Sequence, residues 1–287
     1  MSPPGRFGGA RTLVRALGRA ALVQANELGL MASLAAMAPL HLVGGSSDRA
    51  FGALQRVQAH PAPSTRPVLL VHGLGGTKSS WSFVEQALAA KGLTVDAISY
   101  TPFGTSVERL AHRLAVEVER MLSQTGADKV HLIGHSLGGV VIAQAIASGR
   151  LAGKVDTIVT LGAPFGGSPW AHLVPFGAIV RALRGGSPLL SRLASASVPE
   201  GVRWLAITAT LDVVVPGVRS VPAHAHVETM KIDGVGHLGM LLSPRVAGSI
   251  VAALAAITNG ENASEARSFM GPVTCARQTS ASPTRAS

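Results

Sequence analysis

Ser136 stands in "GHSLGG", residues 134–139, where an apolar run that reads as a strand meets a run that reads as a helix. A sharp strand-to-helix turn tolerates little bulk, which accounts for Gly134 and Gly138. It lifts the serine oxygen out of the sheet while the helix amino end offers N–H groups to an anion. Such a hydroxyl is a candidate nucleophile; the bland alternative is a serine that only caps the helix. As a nucleophile it requires a base to take its proton and an acid to hold that base.

Ten histidines compete for the base. His72 and His135 flank glycine turns, where they are suited to shaping backbone, His112 falls in a helical run and His131 in a strand. His237 lies in "DGVGHLGMLL", a Gly-rich loop after the last strand-like run, where the order serine, acid, histidine that accompanies a G-x-S-x-G turn would deliver it. His224 and His226 are the alternatives. For the acid, Asp212 in "ITATLDVVVPG" ends an apolar run before a Pro-Gly turn, Asp156 begins a strand and so belongs to the wrong edge of a sheet, and Asp233 and Glu228 are alternatives. Charge developing on a substrate oxygen also needs donors. The turn "VHGLGG", residues 71–76, with His72 and Gly73 at its start, would aim the Leu74 N–H at it, and Leu137 after the serine would supply the second. This turn lacks both the glycine spacing and the Gly-Lys-Ser/Thr of a phosphate-binding loop.

The elements that must hold these residues are legible as apolar runs: "PVLLVHG" (67–73), "LTVDAISY" (93–100), "KVHLIGHS" (129–136), "VDTIVTLGAP" (155–164), "VRWLAITATLD" (202–212) and "HVETMKIDGVGH" (226–237). Helical candidates alternate with them: "WSFVEQALAAKG", "SVERLAHRLAVEVERMLSQTG", "GGVVIAQAIASG" and finally "SPRVAGSIVAALAAI". Near-continuous apolar strands joined by helices predict an α/β fold with a mostly parallel sheet covered on both faces, and function at the carboxyl ends of its strands.

With 287 residues and 47% hydrophobic content the chain can bury a substantial core. Cys275 is the single cysteine, so neither an internal disulfide nor a cysteine-rich metal site supports the fold. The formal charge of +10 raises nucleic acid as a partner. The arginines are scattered, though, with only a modest concentration at Arg6, Arg11, Arg15 and Arg19, and no basic run is interleaved with aromatics. An anionic membrane or lipid surface is therefore the better candidate, and no nucleic-acid partner is expected.

The stretches "PVLLVHGLGGTKSSW", "DKVHLIGHSLGG", "IVTLGAPFGGS", "LDVVVP" and "IDGVGHLGMLLSPRV" resemble, in this order, the bacterial α/β-hydrolase lipases and esterases, notably the small triacylglycerol lipases, from about Pro67 to Ile257. The resemblance implies an α/β-hydrolase fold and hydrolysis of carboxylic esters without metal or cofactor, with Ser136 as nucleophile, Asp212 as acid and His237 as base. An acyltransferase using the same triad is the alternative within chemistry, and a non-catalytic lipid-binding homologue the alternative outside it. The chain departs from the smallest lipases between Pro164 and Val202, where a longer insert carries Trp170, Leu173, Val174, Phe176, Ile179, Val180, Leu183, Leu189, Leu190 and Leu193. A helical cap over the serine, about residues 165–201, is expected there; ordinary packing helices are the alternative.

The organisation expected is an amino-terminal helical extension and linker over 1–60, a hydrolase domain over 61–258 and a disordered tail over 259–287. Within the extension, residues 22–43 have the length of a spanning helix, but Gln24, Asn26 and Glu27 interrupt it. A helix packed on the body ranks first, an interfacial membrane helix second and an uncleaved anchor third. A cytoplasmic or membrane-associated location is favoured over secretion, since no clear cleavage site follows the apolar stretch. Oligomeric state is left open.

Overall fold

Each of the six apolar runs yields a strand, and the central ones are buried on both faces of the sheet. The computed structural model describes residues 66–174, 177–223 and 226–255. The expected extension and tail, with Phe176, His224 and Cys275, lie outside these residues. The strands are β1 (Val68–Val71), β2 (Val95–Ile98), β3 (Val130–His135), β4 (Val155–Leu161), β5 (Arg203–Ala209) and β6 (Val227–Ile232). They form one sheet in the order β2-β1-β3-β4-β5-β6, with every pairing parallel. β1, β3 and β4 are buried along their whole length, as strands at the centre of such a sheet must be.

Among the described residues six α-helices complete the layers: α1 (Ser82–Ala89), α2 (Val107–Thr125), α3 (Leu137–Ala147), α4 (Ala178–Ala182), α5 (Pro188–Ser195) and α6 (Pro244–Ala255). α2 illustrates why the sequence folds so. Ser106 caps its amino end by accepting the Arg109 N–H at 3.4 Å, and Val107, Leu110, Ala111, Leu114, Ala115, Val118 and Met121 recur every three or four residues and are buried. Gly126, at φ 70°, ends the helix by returning its N–H to the Leu122 carbonyl at 2.8 Å. One core lies between the sheet and α2, α3 and α5, the other between the sheet and α1 and α6.

The segment after β4 is stitched to the body. Leu189, Leu190 and Leu193 of α5 and Ile179 and Leu183 around α4 join the first core, whereas Leu173 is 71% exposed. Arg184 donates to the carbonyls of Ala171 and Val174, both at 2.9 Å, and the Ser168 N–H reaches the Leu183 carbonyl at 3.0 Å. At the opposite, amino-terminal edge of the sheet, Arg66 pairs with Asp156 at 2.5 Å and with Asp128 at 3.3 Å. Asp156 is thus consumed in an ion pair on the side away from Ser136.

Candidate active site

β3 ends at His135, α3 begins at Leu137, and Ser136 makes the turn between them at φ 52°, ψ −122°. A side chain rarely adopts this backbone region, and strain of this kind is characteristic of functional turns. The turn closes because its neighbours lack side chains. A Cβ on Gly138 would lie 2.0 Å from the Val71 carbonyl oxygen, and one on Gly134 would lie 2.6 Å from the Gly139 nitrogen. The Ser136 N–H donates to the Leu161 carbonyl at 2.9 Å, fixing the turn to the end of β4.

The residue after Leu161 leads to the other two groups. Gly162, at φ 54°, is so enclosed that a Cβ there would meet Met240 Cε at 2.6 Å, Asp212 Oδ2 at 2.9 Å and His237 Nδ1 at 3.1 Å. His237 Nδ1 donates to Asp212 Oδ2 at 2.8 Å, with both side chains buried. Asp212 Oδ1 accepts two backbone N–H groups, from Val214 at 2.9 Å and Val215 at 2.7 Å. Three donors on one carboxylate fix its orientation inside the protein. Of the alternatives, Asp233, Glu228 and His226 are exposed, His226 at φ 76°.

The remaining motif residues surround this centre. A Cβ on Gly73 would sit 3.0 Å from Ser136 Cβ, so the turn after β1 runs directly beside the serine. Leu74 follows Gly73 in this turn and Leu137 follows Ser136 as the first residue of α3, so both candidate N–H donors belong to the backbone that flanks the serine. His135 donates through Nε2 to the His237 carbonyl at 3.0 Å, with the two rings 4.6 Å apart. Burial holds its imidazole well below the ordinary value, and the neighbouring His237 and His72 act in the same direction; the ring is therefore neutral. The imidazole of His72 is stacked on the Tyr100 ring at 4.0 Å, and its Nδ1 lies 2.9 Å from the Gly73 carbonyl.

Tyr100, Met240 and Trp81 are site residues that sequence reasoning missed. The Tyr100 hydroxyl donates to the His72 carbonyl, and burial pushes this phenol up so that it remains a donor. The chain has a single tyrosine, and its position at the end of a strand run was the available signal. Trp81 meets the edge of His135, ring centroids 6.5 Å apart. A cavity of about 440 Å³ between the loop after β2 and α4 is lined by Thr105, Ser106, Arg109 and Arg181 among others, and by none of Ser136, Asp212 or His237. No group of three or more metal-ligating side chains is placed to hold an ion among the described residues.

Residues 66–184 match the family model described as alpha/beta hydrolase fold. Lipase B of Aspergillus fumigatus superposes with a TM-score of 0.57 at 15% identity, over 70% of this chain and 55% of that one. The chain has the α/β-hydrolase fold. The six parallel strands of this hydrolase fold, its glycine-flanked serine turn and its buried Asp212–His237 pair thus occur together in one body. In sequence, 148 residues, 48% of the chain, are 31% identical to a triacylglycerol lipase of Burkholderia plantarii, and 113 residues, 38% of the chain, are 37% identical to a triacylglycerol lipase of Vibrio cholerae. The matched stretches span only 41% and 35% of those two lipases.

Proposed function

We propose that the protein is a serine-dependent carboxylic ester hydrolase acting on lipid-like or medium-chain acyl esters. The observation that carries this reading is the hydrogen bond between Asp212 and His237 at 2.8 Å, one glycine away from the strained turn that presents Ser136. The likeness to triacylglycerol lipases supports the substrate class.

In this reading His237, held in the Nδ1–H tautomer by Asp212, takes the Ser136 proton at Nε2 as Oγ attacks the ester carbonyl. The N–H groups of Leu74 and Leu137 receive the negative charge that develops on the carbonyl oxygen. His237 then returns the proton to the leaving alcohol, giving an acyl-enzyme, and a water deprotonated by His237 releases the acid. The chemistry asks nothing of a metal or cofactor.

The test compares hydrolysis of p-nitrophenyl esters from acetate to palmitate by wild type and Ser136→Ala, with fluorophosphonate labelling of both. Turnover and labelling are both expected to vanish in the variant, and activity retained in Ser136→Ala would overturn the mechanism. An added acceptor alcohol discriminates acyl transfer from hydrolysis by its ester product.

We also propose that the mouth of this site works against a lipid surface. Leu173, Val218 and Leu242 are 71%, 90% and 68% exposed and follow β4, β5 and β6 respectively, with the exposed Arg219 and Arg245 nearby. Apolar tips flanked by cations suit an anionic bilayer. Wild type should co-sediment with phosphatidylglycerol vesicles more than with phosphatidylcholine vesicles, and a triple Leu173→Ser, Val218→Ser, Leu242→Ser variant should not; equal sedimentation of the two proteins would overturn this reading.

A further inference from the structure

Two consecutive peptide groups beside Asp212 are hydrogen-bonded on both their faces. The peptide joining Val213 to Val214 accepts the Trp170 indole N–H at 2.9 Å through its carbonyl and donates its N–H to Asp212 Oδ1 at 2.9 Å. The next, joining Val214 to Val215, accepts the Ser168 hydroxyl at 2.7 Å and donates to the same Oδ1 at 2.7 Å. Asp212 Oδ2 then accepts from His237. Two chains therefore run without a break from side chain to peptide, to carboxylate, to imidazole, and Ser168 and Asp212 within them are 7% and 6% exposed.

Hydrogen bonds in series polarise one another, and a donor at the carbonyl of a peptide strengthens the N–H at its other end. They also fix geometry, because a peptide group anchored on both faces cannot tilt without breaking a bond. Neither donor belongs to the loop that carries the acid. Both come from the segment after β4, which is clamped in turn by Arg184 and by the Leu183 carbonyl.

We propose that Ser168 and Trp170 are positioning residues for the Asp212 carboxylate, so that docking of the segment after β4 completes the acid. This rests on the assignment of Asp212 and His237 proposed above. When Trp170 and Ser168 leave their carbonyls, the 212–215 loop loses the contacts that hold Oδ1, and Asp212 no longer fixes His237.

The test uses Ser168→Ala and Trp170→Phe, each alone and in an Asp212→Asn background, with kcat and KM on p-nitrophenyl butyrate and thermal unfolding of every variant. Loss of one net hydrogen bond in each chain predicts a kcat roughly threefold to tenfold lower for each single variant. KM should stay within about twofold, because neither residue is asked to bind substrate. In the Asp212→Asn background the same substitutions should cost less than about twofold, since what they position is already gone. Losses of equal size in both backgrounds, or a lowered unfolding temperature with unchanged kcat, would overturn the proposal. If Ser168→Ala does not fold, Trp170→Phe at its half-buried position decides the question alone. Activity surviving Ser136→Ala would instead reject the underlying assignment of the site, which keeps the two failures distinct.

Discussion

Ser136 pays for its exposure to substrate in backbone strain, and this can be read directly. At φ 52° a Cβ costs about 1–3 kcal/mol, which a glycine does not incur. Ser136→Gly is therefore expected to be inactive yet more stable than Ser136→Ala by about 1 kcal/mol in urea unfolding, net of the entropy that glycine adds to the unfolded chain. A second expectation concerns pH. Burial pushes the His131 imidazole down to about 4, although Asp156, 3.5 Å away, pulls the other way. The folded value lies below the ordinary one of 6.5, so the unfolded chain takes up a proton that the folded chain refuses. Stability is complete above about pH 6.5, falls as pH drops toward about 4 and then levels off; the buried His135 acts in the same direction. Urea midpoints at pH 7.5 and pH 5 should differ in wild type, and the difference should shrink in His131→Leu.

Among the elements, the strands were legible because burial on both faces leaves no polar alternation to confuse them. "VLLV" and "VHLIGH" could be little else once glycine turns bounded them. The apolar run ending in Asp212 outlasts its strand: β5 stops at Ala209, and the chain turns so that Val214 and Val215 present their N–H groups to that carboxylate. The insert after Pro164 was ambiguous for a physical reason. Leucines at helical spacing serve a cap and a packing helix equally, and only the partner surface distinguishes the two. α5 lays Leu189, Leu190 and Leu193 into the core beside α2 and α3. Leu190→Ala should accordingly cost about 2–5 kcal/mol of stability by urea unfolding, with kcat per folded molecule unchanged. The end of a strand run marks the place of Tyr100 but not its partner, because its contact with the His72 carbonyl joins the segments that follow two different strands.

At the scale of the whole molecule, the serine turn was readable from six consecutive residues, whereas the pairing of Asp212 with His237 depends on β5 and β6 lying side by side. Periodicity supplied the order of these runs and could not supply their adjacency. This adjacency has a consequence for how the protein fails. Ser136 rides on β3 in the middle of the sheet, but His237 is delivered by β6, the outermost strand, whose burial alternates and whose far side has no neighbour among the described residues. Edges of a sheet fray at lower free energy than its centre. In rising guanidinium the base should drift from the nucleophile while the central strands still hold, so ester turnover should decline at a lower denaturant concentration than the fluorescence of Trp204, buried on β5, reports. Coincident transitions would mean that the margin and the middle melt as one unit; separated ones would make loss of function an early warning of unfolding.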